Sequence, residues 1–227
     1  MANAYTIHDQ EGTYFVTFTV HQWVDVFSRK AYADMLLENL YYCQQHKGLK
    51  IYAWVIMTNH CHLIVRSEGF ELSDVIRDFK KHTSKKLIEA IENSETEGRK
   101  RWLLWLLKKG EVKWFWEEGY HGEEITSRLF FNTKVRYIHL NPVRAGIVEK
   151  EEEYLLSSCG DFYGTRKGLL ELAPFQCGII NPFYQKFDIT NVELKKVYGI
   201  CPLVRATMPH RCTTKFPPNH SSLVCEE

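Results

Sequence analysis

The sequence predicts an α+β fold, because strand-like and helix-like patterns of apolar residues succeed one another along its N-terminal half. Residues 13–20 alternate between two faces, as a β-strand does. Residues 49–57 and 60–67 are rich in β-branched and aromatic side chains, which favour strands. Residues 29–47 and 72–91 repeat their apolar positions at the spacing of an amphipathic helix. The predicted order is therefore strand, helix, strand, strand, helix.

The first strand and the first helix follow from simple patterns. The run TYFVTFTV places its apolar residues on one face, namely Tyr14, Val16, Phe18 and Val20. Phe15, Thr17 and Thr19 lie on the other face. The helix begins after Ser28 and closes at Gly48, a residue type that commonly ends helices.

A hairpin and a second helix come next. Thr58 and Asn59 separate the runs LKIYAWVIM and HCHLIVRS, so these runs are predicted to pair as neighbouring strands. The second helix has one apolar stripe, made of Leu72, Ile76, Phe79, Thr83, Leu87 and Ala90.

The remaining elements complete the predicted domain. Residues 93–113 are charged and contain the cluster RWLLWLL, which we interpret as an insertion. The following KWFW indicates a short strand, and SRLFFNTKVRYIHL indicates a helix. This helix is expected to end near Asn141, because a residue that precedes proline disfavours the α region. Together the elements predict a ferredoxin-like antiparallel sheet with helices packed on it. We expect one domain over residues 1–174 and an appendage of unknown order over residues 175–227.

Composition limits the classes of function. Hydrophobic residues make up 44% of the chain, charged residues 25%, and the net charge is +1, so any charge that binds DNA must be local. The start lacks the segments of a signal peptide, and no apolar run approaches the roughly 20 residues of a membrane span. We therefore expect a cytoplasmic protein. Seven cysteines without paired spacing indicate reduced, mostly structural thiols.

A histidine pair opens the second strand of the predicted hairpin. His60 and His62 stand two residues apart, so both project from one face of the strand while Cys61 points into the opposite layer. Two imidazoles in this arrangement suit a metal ion. The alternative is that Asn59 and His60 only close the turn, and the spacing alone does not decide between the two.

A second group of candidate residues lies on the last predicted helix. Tyr137 and Asn141 are four residues apart and share a helix face, so the phenol and the carboxamide can meet at one site. Pro142 is expected to leave Asn141 at the helix terminus, where its side chain can turn toward a ligand. His139 lies about 200° around the helix from Tyr137 and should face elsewhere. The alternative for Tyr137 is a core tyrosine whose hydroxyl finds a partner.

Three stretches together resemble a known family, the REP-associated tyrosine transposases, which are relatives of the HUH single-strand transposases of bacterial insertion sequences. The stretches are YAWVIMTNHCHLIV, LSDVIRDFKKHTSKKL and VRYIHLNPVRAGIV, in the order and at the spacing of the family. The resemblance covers about residues 13–175. It implies that His60, His62 and Asn141 hold a divalent metal ion, and that Tyr137 is the catalytic nucleophile. Because the ligands are mixed nitrogen and oxygen donors, we expect Mg²⁺ or Mn²⁺. The chain departs from the family pattern at Cys61, although a free cysteine behaves as a small hydrophobe.

The resemblance also implies an activity. It implies a homodimeric transposase that cleaves and rejoins single-stranded DNA by transesterification through a 5′-phosphotyrosine, acting on hairpin or repeat ends. One alternative is a domesticated DNA-binding protein that recognises repeats without cleaving them. Another is a metal hydrolase, but the acidic base and additional histidines of such sites are not evident near the pair.

Local positive charge is concentrated on the second helix. Its cations Arg77, Lys80, Lys81 and Lys85 fall within roughly 140° of arc, next to the apolar stripe. We predict that they bind DNA, with phosphate contacts from the three lysines. The alternative is a solvated surface helix.

Two further groups of residues have more than one interpretation. Trp114, Phe115 and Trp116 are suited to stacking on unpaired bases, although aromatic runs belong more often to a core. The appendage carries cysteines and histidines that together suggest a zinc site, but their spacings do not match the tight pairs of structural zinc sites. These residues are Cys177, Cys201, His210, Cys212, His220 and Cys225.

Overall fold

A computed structural model describes residues 7–168 and 170–174, and it confirms the predicted α+β fold. The strands are β1 Tyr14–Thr19, β2 Leu49–Ile56, β3 His60–Ser67, β4 Lys108–Lys109, β5 Val112–Lys113 and β6 His121–Glu124. The helices are α1 Lys30–His46, α2 Leu72–Asn93, α3 Lys100–Leu106, α4 Arg128–Arg144 and α5 Cys159–Tyr163. Four strands form one antiparallel sheet in the order β2-β3-β1-β6, which is the ferredoxin-like order, and β4 and β5 form a separate hairpin.

The two faces of the sheet carry separate cores. On β1, Val16 and Phe18 pack with residues of α1 and α2 on one face of the sheet. Phe15 belongs to the other face, where Val135 and Ile138 of α4 cover it. The strict alternation of β1 therefore decides which helix each side chain meets. In the same way, Cys61 lies fully buried on the α1 and α2 face, so its neighbours His60 and His62 face the α4 side.

The strand register places the histidines at the centre of the sheet. Within the antiparallel pair of β1 and β3, Thr19 is opposite His60 and Thr17 is opposite His62. On the other side of β3, Val55 of β2 is opposite His62. The pairing of β2 with β3 shifts register between Ile51 and Ala53, as at a β-bulge. Both histidines thus stand on a strand that is held from two sides.

The fourth strand of the sheet differs from the prediction. KWFW is not that strand: Phe115 and Trp116 are buried core residues, and Trp116 is tied to the rest of the fold by a hydrogen bond from its Nε1 to Thr83 Oγ1 of 3.0 Å. The edge strand is instead β6, which has the sequence HGEE and pairs with β1. The core interpretation of Phe115 and Trp116 is confirmed, and base stacking by these two side chains is excluded by their burial.

The end of α4 also differs from the prediction. The helix continues through Pro142 to Arg144, so Asn141 lies inside its last turn and not at the terminus. Proline lacks an N–H group, which removes only one hydrogen bond at this position. The turn is closed by Ala145 N–H, which donates to the Asn141 carbonyl at 3.0 Å, and by Ile147 N–H, which donates to the Pro142 carbonyl at 2.9 Å. The buried ring of Pro142 packs within the fold.

Two expectations concern the chain as a whole. Within the described part of the chain, no helix has the length and apolarity required to cross a bilayer. Cys43, Cys61 and Cys159 are buried free thiols, in agreement with the expectation of reduced cysteines. Residues 175–227, which include the cysteines and histidines of the possible zinc site, lie outside the described residues.

Candidate active site

The sheet and α4 bring three of the predicted site residues together. The ring centroids of His60 and His62 are 4.8 Å apart, and those of His62 and Tyr137 are 5.2 Å apart. Phe15 of β1 stacks on His62 at 5.4 Å and meets the ring of Tyr137 edge-on at 5.8 Å. The phenol of α4 therefore lies directly against the histidine pair of β3.

His62 has one ring nitrogen bound and the other without a partner. Its Nδ1 lies 2.7 Å from Thr17 Oγ1. Its Nε2 is buried, and no described residue forms a hydrogen bond with it. Burial lowers the pKa of His62 well below its usual value, and the neighbouring His60 and Lys134 lower it further. The imidazole is thus neutral near pH 7, and its buried, unpartnered Nε2 is suited to binding a ligand from outside the described contacts.

His60 is oriented in an equivalent way by Asn59. The Asn59 Oδ1 lies 2.7 Å from His60 Nδ1, while the Asn59 Nδ2 donates to the Trp23 carbonyl at 3.2 Å. The second bond fixes the direction of the amide, so Oδ1 accepts from a protonated Nδ1. The lone pair of His60 is then left on Nε2. Burial lowers the pKa of His60 to about 4, which keeps this imidazole neutral as well.

These features fit a divalent metal ion. Metal-binding histidines typically donate one ring N–H to a protein oxygen and ligate through the other nitrogen, and Thr17 and Asn59 supply such oxygens here. Within residues 7–168 and 170–174, no third histidine, cysteine or carboxylate joins the pair in a metal-binding group. A third protein ligand would therefore be of another type. Asn141 is half-buried and lies one turn beyond Tyr137 on the same face of α4.

Tyr137 is the tyrosine that contacts the histidines. It is half-buried, and the Arg144 guanidinium lies 5.6 Å from its ring centroid. Two other tyrosines are near in sequence but differ in position. The Tyr154 hydroxyl donates to the Ile56 carbonyl at 2.8 Å, and Tyr120 packs against Phe18 on the other face of the sheet. Of these three phenols, Tyr137 alone is placed to act beside the histidine pair.

Sequence reasoning missed several residues that build the site. Lys134 lies one turn before Tyr137 on α4; its Nζ pairs with Glu123 Oε1 at 2.7 Å and sits 4.3 Å from the ring centroid of Phe15. The alternation of β1 places Phe15 and Thr17 on one face, and helical spacing puts Lys134 on the face of Tyr137. These patterns are present in the sequence, but they indicate a contact with the histidines only when the register of β1 against β3 is known.

The predicted DNA-binding cations lie elsewhere. The α2 helix packs on the sheet face opposite to the histidines. Arg77 is bonded to Asp74 and Asp78 on its own helix. Lys80 is half-buried and its Nζ donates to the carbonyls of Glu117 and Gly119; burial lowers its pKa to about 8. Lys81 and Lys85 are exposed. The structure does not bring these residues together with the histidine pair, and their role in DNA binding stays a prediction.

Comparisons with known proteins identify a family and a similar fold. Residues 10–141 match the family model described as "Transposase IS200 like". No curated protein matches the chain. One similar solved structure is a REP-associated tyrosine transposase bound to a REP hairpin, with 19% identity, a TM-score of 0.56 and coverage of 79% of this chain and 98% of that one.

A second similar structure is that of a protein described as a transposase from Deinococcus radiodurans, with 16% identity, a TM-score of 0.39 and coverage of 59% of this chain and 93% of that one. The first structure supports the fold, and the family model spans more than half of the chain, including both histidines, Tyr137 and Asn141. The chain belongs to the IS200-like transposase family.

Proposed function

We propose that this protein is a DNA transposase that cleaves and rejoins single-stranded DNA by transesterification, with Tyr137 as the nucleophile and a 5′-phosphotyrosine as the intermediate. One observation carries the proposal: the ring of Tyr137 lies 5.2 Å from that of His62, whose buried Nε2 has no hydrogen-bond partner in the described chain. A phenol next to an unpartnered imidazole nitrogen suits metal-assisted attack on phosphate. Membership of the transposase family supports the same chemistry.

The residues present fit Mg²⁺ or Mn²⁺. We propose His60, His62 and Asn141 as the protein ligands. Mixed nitrogen and oxygen donors suit these ions, whereas metals that prefer soft ligands are bound by thiolates. When bound, such an ion supplies Lewis-acid stabilisation of negative charge on the phosphoryl oxygens. Asn59 holds His60 in the tautomer that leaves its Nε2 lone pair free, and the Thr17 hydroxyl can do the same for His62 by accepting a hydrogen bond from Nδ1–H.

The bond changes at Tyr137 are balanced without a further co-reactant. The Tyr137 oxygen forms a bond to phosphorus as the bond from phosphorus to the 3′-oxygen breaks. The phenolic proton passes to water or a base, and the departing 3′-oxygen takes up a proton. Because the ester at Tyr137 keeps the energy of the broken bond, a 3′-hydroxyl can reverse the reaction on the same or another strand. Cleavage and rejoining therefore use one site.

The DNA partner is proposed to be a hairpin or repeat end with an adjacent single strand. The similar structure is bound to a REP hairpin, which supports this choice. We also propose that the chain acts as a homodimer, as the resemblance to the family implies, and that it acts in the cytoplasm. Sedimentation of the purified protein would reveal the oligomeric state. A domesticated protein that binds repeats without cutting them would bind the same DNA but form no covalent product.

The test is covalent capture. The full chain is incubated in Mn²⁺ with a pool of hairpin oligonucleotides that carry randomised single-stranded flanks and a label at the 3′ end. We expect a protein-DNA band that survives denaturation, and sequencing of the captured strands then identifies the cleavage point. The label must lie on the 3′ side, because the 5′-phosphate is the end that becomes attached to Tyr137.

The controls separate the nucleophile from its surroundings. Tyr137→Phe removes one oxygen and leaves the ring contacts with Phe15 and His62 in place, so DNA binding should persist while the covalent band disappears. Tyr154→Phe, which removes a hydroxyl bonded to the Ile56 carbonyl, should leave the band in place. A band that persists in Tyr137→Phe would reject this nucleophile. Cleavage by the parent protein without any covalent band would indicate a metal-activated water.

A further inference from the structure

The short segment between β1 and α1 has an unusual backbone. Gln22 and Trp23 both adopt positive φ angles, of 56° and 55°, and they are the non-glycine residues in this conformation among those the structure describes. The left-handed region is costly for a bulky side chain such as tryptophan. Such strain persists where the surrounding structure holds it in place, and it concentrates at functional sites.

The surroundings of the segment hold it from two sides. Glu117 Oε1 accepts a hydrogen bond from Gln22 N–H at 3.0 Å and lies 3.1 Å from His21 Nδ1. On the other side, Asn59 donates to the Trp23 carbonyl at 3.2 Å, and the same Asn59 orients His60. The segment is therefore coupled directly to the histidine pair.

The constrained backbone directs an exposed indole to the edge of the site. Trp23 is 59% exposed, although tryptophan is usually well buried. Its ring centroid is 5.9 Å from that of His60, whereas Tyr137 contacts His62. An exposed aromatic side chain is thus fixed beside His60.

We infer that Trp23 is a stacking platform for the unpaired nucleobase that adjoins the phosphate attacked by Tyr137. The inference rests on the proposed function for the location of that phosphate. An indole face stacks on any base, because every base has a π-face, so Trp23 positions the strand without reading its sequence. Stacking covers the exposed ring and adds an anchor on the His60 side of the site. The role is that of a positioning residue and does not involve the reacting atoms.

The test compares two single-stranded probes. One is a short labelled oligothymidylate, and the other is an oligonucleotide of the same length in which abasic sites replace the bases. Their binding is measured by fluorescence anisotropy in Mn²⁺ with the full chain carrying Tyr137→Phe, so that no cleavage interferes. In this background, Trp23→Ala should weaken binding of oligothymidylate by roughly five- to a hundredfold. Binding of the abasic probe should change little.

Matched variants exclude simpler causes. Trp23→Phe keeps an aromatic face and should restore most of the binding. Trp105→Ala removes another indole, 65% exposed on α3, and should leave both probes unaffected. Equally weakened binding of both probes would show that Trp23 only supports the segment, and would overturn the inference. A change in sedimentation without a change in DNA binding would also overturn it, because the indole would then belong to a contact between chains.

The binding test of Trp23→Ala does not depend on cleavage. Selective weakening of oligothymidylate binding in Trp23→Ala would support the platform even if the parent protein formed no covalent band, and that second result would reject only the proposed chemistry. Conversely, a covalent band in the parent protein combined with unchanged binding in Trp23→Ala would keep the proposed chemistry and reject the platform.

Discussion

The hydroxyl of Thr17 lies 2.7 Å from Nδ1 of His62, and the two residues stand directly opposite each other on β1 and β3. The register of two paired strands thus fixes the rotation of one imidazole. The hydroxyl can accept a hydrogen bond from Nδ1–H, and the lone pair is then on Nε2, the buried nitrogen that has no partner within the described residues. Thr17 is in this sense the orienting residue of the proposed metal site.

Thr17→Val should weaken metal binding while leaving the fold intact. Valine has nearly the same shape but forms no hydrogen bond, so His62 loses the contact at Nδ1 that orients its ring. Outer-shell substitutions of this kind typically reduce metal affinity by about 10- to 100-fold. Calorimetric titration with Mn²⁺ measures the change. Thr19→Val is the matched control, because Thr19 lies on the same strand face opposite His60 and no hydrogen bond links its side chain to either histidine in the described structure. Equal affinity in Thr17→Val and the parent would reject the orienting role.

His60→Ala and His62→Ala should each abolish the response to divalent ions. In the parent, Mn²⁺ should raise the melting temperature, because a ligand that binds only the folded state stabilises it. Neither variant should show this rise or cleave DNA, since one imidazole and one amide are too few ligands to hold the ion. His82→Ala, an exposed position on α2, serves as the control and should behave like the parent. Full Mn²⁺-dependent cleavage by either site variant would refute the metal assignment.

The sequence predicted the parts of the fold whose apolar periodicity is strong. The alternation of β1, the hairpin of β2 and β3, and the apolar stripe of α2 are each confirmed to within two residues. The edge strand β6 could not be found in this way, because HGEE has no apolar alternation and forms a strand by pairing with β1. The run KWFW was predicted as a strand because aromatic residues favour strands, but they are also common in cores.

The candidate site was predictable where local spacing carries the information. The spacing of His60 and His62 placed both on one strand face, and periodicity placed Tyr137 on a helix, but the resemblance to the family was needed to single these residues out as a site. The contacts of Thr17 and Trp23 depend on which strands and loops meet in three dimensions, so no local pattern could indicate them. The prediction that α4 ends near Asn141 was wrong. A residue before proline only disfavours the α region, and the buried ring of Pro142 and the hydrogen bonds of the last turn outweigh that preference.

His139 should contribute to stability and not to metal binding. It is 3% exposed, and its Nε2 lies 2.9 Å from Ser158 Oγ. That hydroxyl accepts from Trp54 N–H at 3.0 Å and donates to the Trp54 carbonyl at 3.2 Å, so His139 supplies the remaining donor. His139→Ala should lower the free energy of unfolding by about 1–3 kcal/mol, measured by urea denaturation. Calorimetry should show an unchanged Mn²⁺ affinity; a weaker affinity at unchanged stability would place His139 in the metal site instead.

Among the lysines of α2, we expect Lys81 and Lys85 to bind DNA and Lys80 to support the fold. Lys81 and Lys85 are exposed. The Lys85 Nζ forms only a long ion pair with Glu89 Oε1, at 3.9 Å. The Lys80 ammonium is instead bonded to the carbonyls of Glu117 and Gly119, whose segment links Trp116 to β6. A phosphate would have to compete with both carbonyls for Lys80, whereas Lys81 and Lys85 are accessible to it.

The double substitution Lys81→Gln and Lys85→Gln should therefore weaken binding of single-stranded DNA and flatten its salt dependence. Each lysine that no longer neutralises a phosphate should reduce the slope of log K against log salt by about 0.7. Lys80→Gln should mainly lower the melting temperature, because two carbonyls lose a charged donor, and should change the slope little. The measurement is a series of binding titrations at increasing salt, accompanied by thermal melts of each variant. Lys30→Gln, at an exposed position on α1, controls for the removal of a positive charge alone. An unchanged slope in the double variant would assign α2 to a solvated surface and move the DNA contacts to another face of the protein.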